Sequence, residues 1–152
     1  MFDVIDHYNS EIIGYTTVKT GDRYEATRAV QNTIDNRYGN LEKNIAKGLD
    51  VRSDKISKYI SKFYKESMEF YVIEPSYTWA RSPESNGMIE RFHRTIEEQL
   101  FALNDFEDID EADLAIKEFI DLYNEKWMIE RLNYFSPKEQ LHEYYKLSQK
   151  SA

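Results

Sequence analysis

Apolar positions follow two different periods along this chain, and the switches between them mark the elements. Phe2 to Tyr8 mixes apolar and polar residues at strand-like spacing, and Glu11 to Lys19 is rich in β-branched residues. Asn9-Ser10 between them is a tight-turn pair, which predicts a hairpin. Asp22 with Glu25 forms a capping-box-like start, Ala26, Val30 and Ile34 space one helix face, and Gly39 stops it. Asn40 to Gly48 reads as a loop. Leu49 to Ser53 is a strand candidate ending at Asp54. A helix follows, with Ile56, Tyr59, Ile60 and Phe63 expected on its buried side, then a strand from Glu69 to Ile73 and an irregular loop from Glu74 to Arg81.

The stretch from Ser82 to Leu103 is the most strongly patterned. Ser82 is a good N-cap, Pro83 suits the first helical position, and Ile89, Phe92, Ile96, Leu100 and Leu103 recur at steps of three and four. Asn86, Glu90, His93, Arg94 and Glu97 share a different face. A further helix is expected from about Glu111 to Glu130, capped by Asp110, with Leu114, Ile116, Phe119, Ile120, Tyr123 and Trp127 buried. Ser136-Pro137-x-Glu139 opens a last helix that runs to about Leu147. Hairpin, helix, strand, helix, strand, helices is the order of an α/β chain. It predicts a mixed sheet with packed helices, antiparallel in the hairpin and parallel across the two βα crossovers.

Composition narrows the function classes. At 152 residues the chain is the size of one domain with a real core, and it has no cysteine, so thiolate metal sites and cysteine nucleophiles are excluded. No membrane-spanning run and no signal pattern occur, which predicts a soluble intracellular protein. The net charge of −8 is uneven: residues 1–81 balance twelve bases against twelve acids, while residues 82–152 carry eight against sixteen. Six of those acids fall between Asp105 and Asp113. That balance counts against strong autonomous DNA affinity but leaves room for local basic faces. Lys55, Lys58, Lys62 and Lys65 form one such stripe, with Arg52 nearby; it is either a solvated helix face or a contact for DNA phosphates.

Two acids stand out by position. Asp54 ends a strand, where ligands gather in α/β sheets, and Glu90 lies in the first turns of a long helix, with thirty-five residues between the two. Hard divalent cations take carboxylate oxygens and keep positions open for phosphate. Acids at strand ends and helix starts also serve capping and solubility, and position alone leaves both roles open. Glu90-x-x-His93 would be half of a carboxylate-bridged iron site, which needs a second such motif beside it.

Four segments in order resemble the catalytic core of DDE transposases and retroviral-type integrases. Val4-Ile5-Asp6-His7-Tyr8-Asn9-Ser10 with Ile12-Ile13-Gly14 resembles that family's second and third strands. Arg52-Ser53-Asp54 resembles the segment with its second catalytic aspartate, and Ser85-Asn86-Gly87-Met88-Ile89-Glu90-Arg91-Phe92-His93 the segment with its catalytic glutamate. Tyr123-Asn124, then Leu132, Tyr134, Ser136 and Pro137, resembles the tail of bacterial insertion-sequence transposases.

The resemblance implies a ribonuclease-H-like mixed sheet, residues 1–104 forming the core and 105–152 a C-terminal helical extension of the same domain. It implies Asp54 and Glu90 as catalytic carboxylates binding Mg²⁺ or Mn²⁺ in a two-metal arrangement, with Asn86 and His93 supporting them. Arg52, Lys55, Lys58, Lys62, Lys65 and Arg94 would contact DNA. Transposon ends and target DNA would be the partners, together with further copies of the chain or a full-length transposase, in a prokaryotic cytoplasm without membrane attachment.

There are departures from the pattern. The family's first catalytic aspartate stands on a strand before the hairpin, and this chain begins at the hairpin; Asp6 matches a different position and is not promoted to a ligand. Ile56 stands where glycine is usual, Glu97 where a basic residue is common, and Trp127 and Ile129 where arginine and histidine are. The expectation is therefore a core fragment lacking its first strand, inactive alone in DNA cleavage and strand transfer. The alternatives are an inactive remnant, a regulatory or dimerisation partner of a full-length transposase, or an unrelated helical metal- or protein-binding module. Were the fragment active, Asp6 and Asp3 would be the first candidates for a substitute ligand.

Overall fold

A computed structural model describes residues 1–54, 56–78 and 83–150. They form a mixed α/β chain of two compact units: residues 1–4 with 13–87, and residues 5–12 with 88–152. Five α-helices and two two-stranded sheets are present among the described residues.

The first unit starts with the predicted hairpin. Strands β1 (Phe2–Ile5) and β2 (Ile12–Thr16) pair with each other, both shorter than the apolar pattern suggests. A connection this short permits only antiparallel pairing. Helix α1 (Arg23–Tyr38) has the predicted caps: Asp22 accepts from the Tyr24 and Glu25 N–H groups, and Gly39 closes the helix at φ 74°. Gly14 lets β2 lie against α1, because a Cβ there would stand 2.5 Å from the Thr33 backbone nitrogen and 2.7 Å from the Ala29 carbonyl.

Strand β3 (Asp50–Asp54), helix α2 (Lys62–Tyr71) and strand β4 (Glu74–Thr78) make a parallel crossover, with Asp50 opposite Glu74 and Asp54 opposite Thr78. The parallel pairing was expected, but several positions differ. The helix starts later, capped by Ser61, and runs through the stretch read as a strand; the strand is the stretch read as a loop. Phe70, Tyr71, Val72 and Ile73 look β-forming, yet Val72 takes the left-handed conformation at φ 59° and closes the helix in the role glycine usually fills. The buried face is correspondingly Tyr64, Met68 and Tyr71, while Ile56, Ile60 and Phe63 are exposed. Pro75 is tolerated in β4 because β4 is an edge strand. Val30, Ile34, Ala46, Tyr64, Met68, Tyr71 and Ile73 form the core of this unit.

The second unit is helical. Helix α3 (Pro83–Gln99) buries Phe92 and Ile96, but Leu103, expected on the same stripe, lies beyond the helix end in a 3-10 turn and is 71% exposed. Ser82, the predicted N-cap, lies outside the described residues. Helix α4 (Ile109–Lys126) is capped by Asp108, not Asp110; Asp108 is extended and accepts from the Asp110 and Glu111 N–H groups. Ile116, Phe119, Ile120 and Tyr123 are buried as predicted, Trp127 is half-buried at the helix end, and Leu114 points to solvent. Helix α5 (Pro137–Lys150) opens with a full capping box: Glu139 Oε2 accepts from the Ser136 N–H and Ser136 Oγ from the Glu139 N–H. Those bonds hold the Glu139 carboxyl below its ordinary value.

The strands form two pairs instead of one mixed sheet. Val4 of β1 and Val51 of β3 pack on the same core, yet no strand joins β1 to β3 among the described residues. Every strand is therefore an edge, and open edges recruit strands from other chains. The apparent melting temperature should rise with protein concentration, since association stabilises the folded state by mass action. Melting curves over a concentration series, run with sedimentation analysis, check this. A concentration-independent melt from a strict monomer would contradict it.

Candidate functional site

Asp54 and Glu90, the two candidate metal ligands, belong to different units, and each is positioned by its own unit. In the first, the parallel pairing carries β3 to its carboxyl end at Asp54, which is exposed. Its carbonyl accepts the Ile56 N–H at 2.9 Å, so the chain turns immediately after the acid. Arg52 lies two residues back along the strand and is exposed as well, as strand alternation requires. Tyr59 backs this end of the strand: Tyr77 donates to its carbonyl at 3.2 Å, and its ring meets Tyr64 edge-on at 5.4 Å. Burial pushes the Tyr59 hydroxyl up to about 12, and the negative charges of Asp3 and Asp54 add to the shift.

The predicted basic stripe survives in part. Lys58 stands 4.8 Å over the Phe2 ring, Lys62 pairs with Glu66 at 3.6 Å while its side chain stays 88% exposed, and Lys65 is exposed. Lys55 lies outside the described residues.

In the second unit Glu90, His93 and Arg94 are exposed on α3, on the side opposite buried Phe92 and Ile96. Phe92 meets Tyr123 of α4 at 4.9 Å, which fixes the helix rotation and hence the outward direction of Glu90. The side chain of Asn86 lies outside the described ones. Burial pushes the Tyr123 hydroxyl up to about 12, partly offset by the positive charges of Arg131 and Arg91.

A polar cluster that sequence reasoning did not assemble fixes the hairpin turn in this unit. Asn124 grips Ile12 on both sides of its peptide unit: Oδ1 accepts the Ile12 N–H and Nδ2 donates to the Ile12 carbonyl, each at 2.9 Å. Asn9 Nδ2 donates to the Pro137 carbonyl at 3.0 Å, and Arg131 donates to Ser10 Oγ at 2.7 Å. The amide of Asn124 does for Ile12 what a neighbouring strand would do. Asn124 had been singled out only as part of the tail resemblance, and Arg131 carried no signal at all.

Asp54 and Glu90 supply hard oxygen donors, while no group of three or more His, Cys, Asp or Glu side chains capable of holding a metal exists among the described residues. No described helix is long and apolar enough to cross a membrane.

Residues 71–137 match the integrase core domain family, a stretch that contains Asn86, Glu90, His93 and Arg94 but not Asp54 or the lysine stripe. The chain is similar to the InsK protein of insertion sequence element IS150 from Escherichia coli (strain K12), whose name marks it as a transposase. Identity is 26% over 136 residues, covering 90% of this chain and 46% of that protein. It is also similar to the transposase of insertion sequence element IS904 from Lactococcus lactis subsp. lactis (strain IL1403), with 33% identity over 93 residues, covering 60% of this chain and 37% of that protein. The chain thus spans less than half the length of these curated relatives.

Replacing Asn124 by alanine would leave the Ile12 N–H and carbonyl buried without partners, at about 1–3 kcal/mol each. Asn124→Ala should therefore destabilise the protein by roughly 2–6 kcal/mol in urea denaturation, and a loss below 1 kcal/mol would show that the clamp is dispensable.

Proposed function

We propose that this chain is part of a DNA-strand-transfer enzyme of the insertion-sequence transposase kind, built on a ribonuclease-H-like core. Asp54 and Glu90 are two of its metal-holding carboxylates. The observation that carries the reading is the integrase-core match over residues 71–137, which includes Glu90 and its helix neighbours. The placement of Asp54 at the carboxyl end of a parallel strand supports it from the other unit.

The donor chemistry fits Mg²⁺ or Mn²⁺, since both groups are exposed carboxylates. When bound, paired divalent ions stabilise both the attacking and the leaving oxygen of a phosphodiester displacement. The chain's own residues then have positioning tasks. Asn86 and His93 orient the Glu90 side, and Arg52, Lys55, Lys58, Lys62, Lys65 and Arg94 hold phosphates of the transposon end and target.

The open edges of β1 and β3 favour a second reading, in which the chain acts as a regulatory or dimerisation partner of a full-length transposase. Both readings place the chain among copies of itself or of such an enzyme, in a bacterial cytoplasm.

Calorimetric titration with Mn²⁺ tests the ligand assignment. Asp54→Asn and Glu90→Gln should each weaken binding by more than the roughly 10–100-fold that outer partners of metal ligands are worth. If the two share one ion, the double variant should lose little beyond either single one, the non-additivity of groups acting together. Unchanged affinity in both single variants, or strictly additive losses, would contradict the assignment.

A further inference from the structure

The first unit carries an exposed pair of aromatic rings that its core does not use. Tyr24, in the first turn of α1, is 46% exposed, and Phe63, in the first turn of α2, is 38% exposed. Their rings meet at 4.8 Å and 60°, so the two helix starts are joined by an aromatic contact at the surface. Arg23 lies with its guanidinium 4.8 Å over the Tyr24 ring and donates to the Tyr24 hydroxyl at 3.0 Å. Lys58 approaches the same neighbourhood, since a Cβ on Gly21 would stand 3.4 Å from its Nζ, and Lys62 immediately precedes Phe63 with its side chain 88% exposed.

The charge here runs against that of the whole chain. Residues 55–65 contain four lysines and no acid, in a protein of net charge −8. Of the acids close by in sequence, Asp22 is committed to capping α1, Glu25 pairs with Arg28 at 3.3 Å, and Glu66 pairs with Lys62 at 3.6 Å, where both side chains stay exposed. Exposed rings flanked by cations suit a polyanion that also offers flat apolar faces. Single-stranded nucleic acid has that chemistry: aromatic side chains stack on unpaired bases while cations follow the backbone. A duplex hides its base faces and would meet only the cations.

We propose that Tyr24 and Phe63, with Arg23, Lys58 and Lys62 around them, form a stacking platform for unpaired bases of single-stranded DNA. The proposal deepens the DNA-strand-transfer reading by naming an unpaired strand as the form of DNA this unit holds. It rests on that reading for the identity of the nucleic acid, but not on the metal ligands.

The test is fluorescence anisotropy of a labelled oligothymidylate titrated with the full chain in EDTA, compared with a duplex of equal length. Leucine keeps the apolar packing of either ring and removes its stacking face. Tyr24→Leu and Phe63→Leu should each weaken oligothymidylate binding by roughly 5- to 150-fold, the range of one base stack. Phe70→Leu, at an exposed aromatic position in the same unit (43% exposed), should change nothing. EDTA strips divalent ions from the solution, so the readout does not depend on the metal ligands. Wild-type affinity in both leucine variants, no binding by the wild type, or a preference for the duplex would overturn the proposal. So would a change in sedimentation of the leucine variants with DNA affinity unaltered, which would make the ring pair a protein contact.

Discussion

The parallel pairing of β3 with β4 is the constraint on which the first unit depends. Parallel neighbours need a crossover, and the crossover supplies α2, whose Tyr64, Met68 and Tyr71 fill the core beside Val30 and Ile34 of α1. The register that sets Asp50 opposite Glu74 also sets where β3 ends, and so places Asp54 at the carboxyl edge of the pair. Because α2 is inserted there, its first turn brings Phe63 against Tyr24 of α1. The acid and the exposed ring pair are consequences of one strand pairing.

The second unit depends on side-chain amides where the first uses strands. Asn124 completes the hydrogen bonding of Ile12, Asn9 reaches the Pro137 carbonyl, and Arg131 ties down Ser10. Buried polar groups justify their burial only when all are satisfied, and these satisfy one another with geometry fixed by α4 and the start of α5. Helix α3 is held by apolar contact instead, Phe92 on Tyr123, leaving Glu90 outward. The scaffold fixes the direction of that carboxylate while its solvent side stays open.

What the sequence disclosed follows the range of the interactions. The caps of α1 and α5 depend on residues three positions apart, and Asp22, Gly39 and the Ser136–Glu139 box behave as their types require. The end of α2 was illegible because Val72 occupies a left-handed conformation that no rule assigns to valine, and the β-forming run around it pointed the other way. Pro75 likewise concealed β4, since proline argues against a strand unless that strand is known to be an edge. Exposure was harder still. Leu103 fits its stripe by spacing, but the helix ends before reaching it, and Phe63 fits a buried face that starts about two helical turns too early. Asp54 and Glu90 were legible as individual candidates because strand ends and helix faces can be read from pattern. The Asn124 clamp was not, because its partner Ile12 is more than a hundred residues away in the chain.

The central proposal is that Asp54 and Glu90 are both metal-holding carboxylates, and paramagnetic broadening by Mn²⁺ in an amide-resolved NMR spectrum tests it most directly. At substoichiometric Mn²⁺ the account predicts that amides flanking Asp54 on β3 and amides flanking Glu90 on α3 both broaden, and that Asp54→Asn and Glu90→Gln each remove the broadening around the substituted residue. Broadening at only one of the two, or broadening concentrated in the acidic stretch from Asp105 to Asp113, would contradict it.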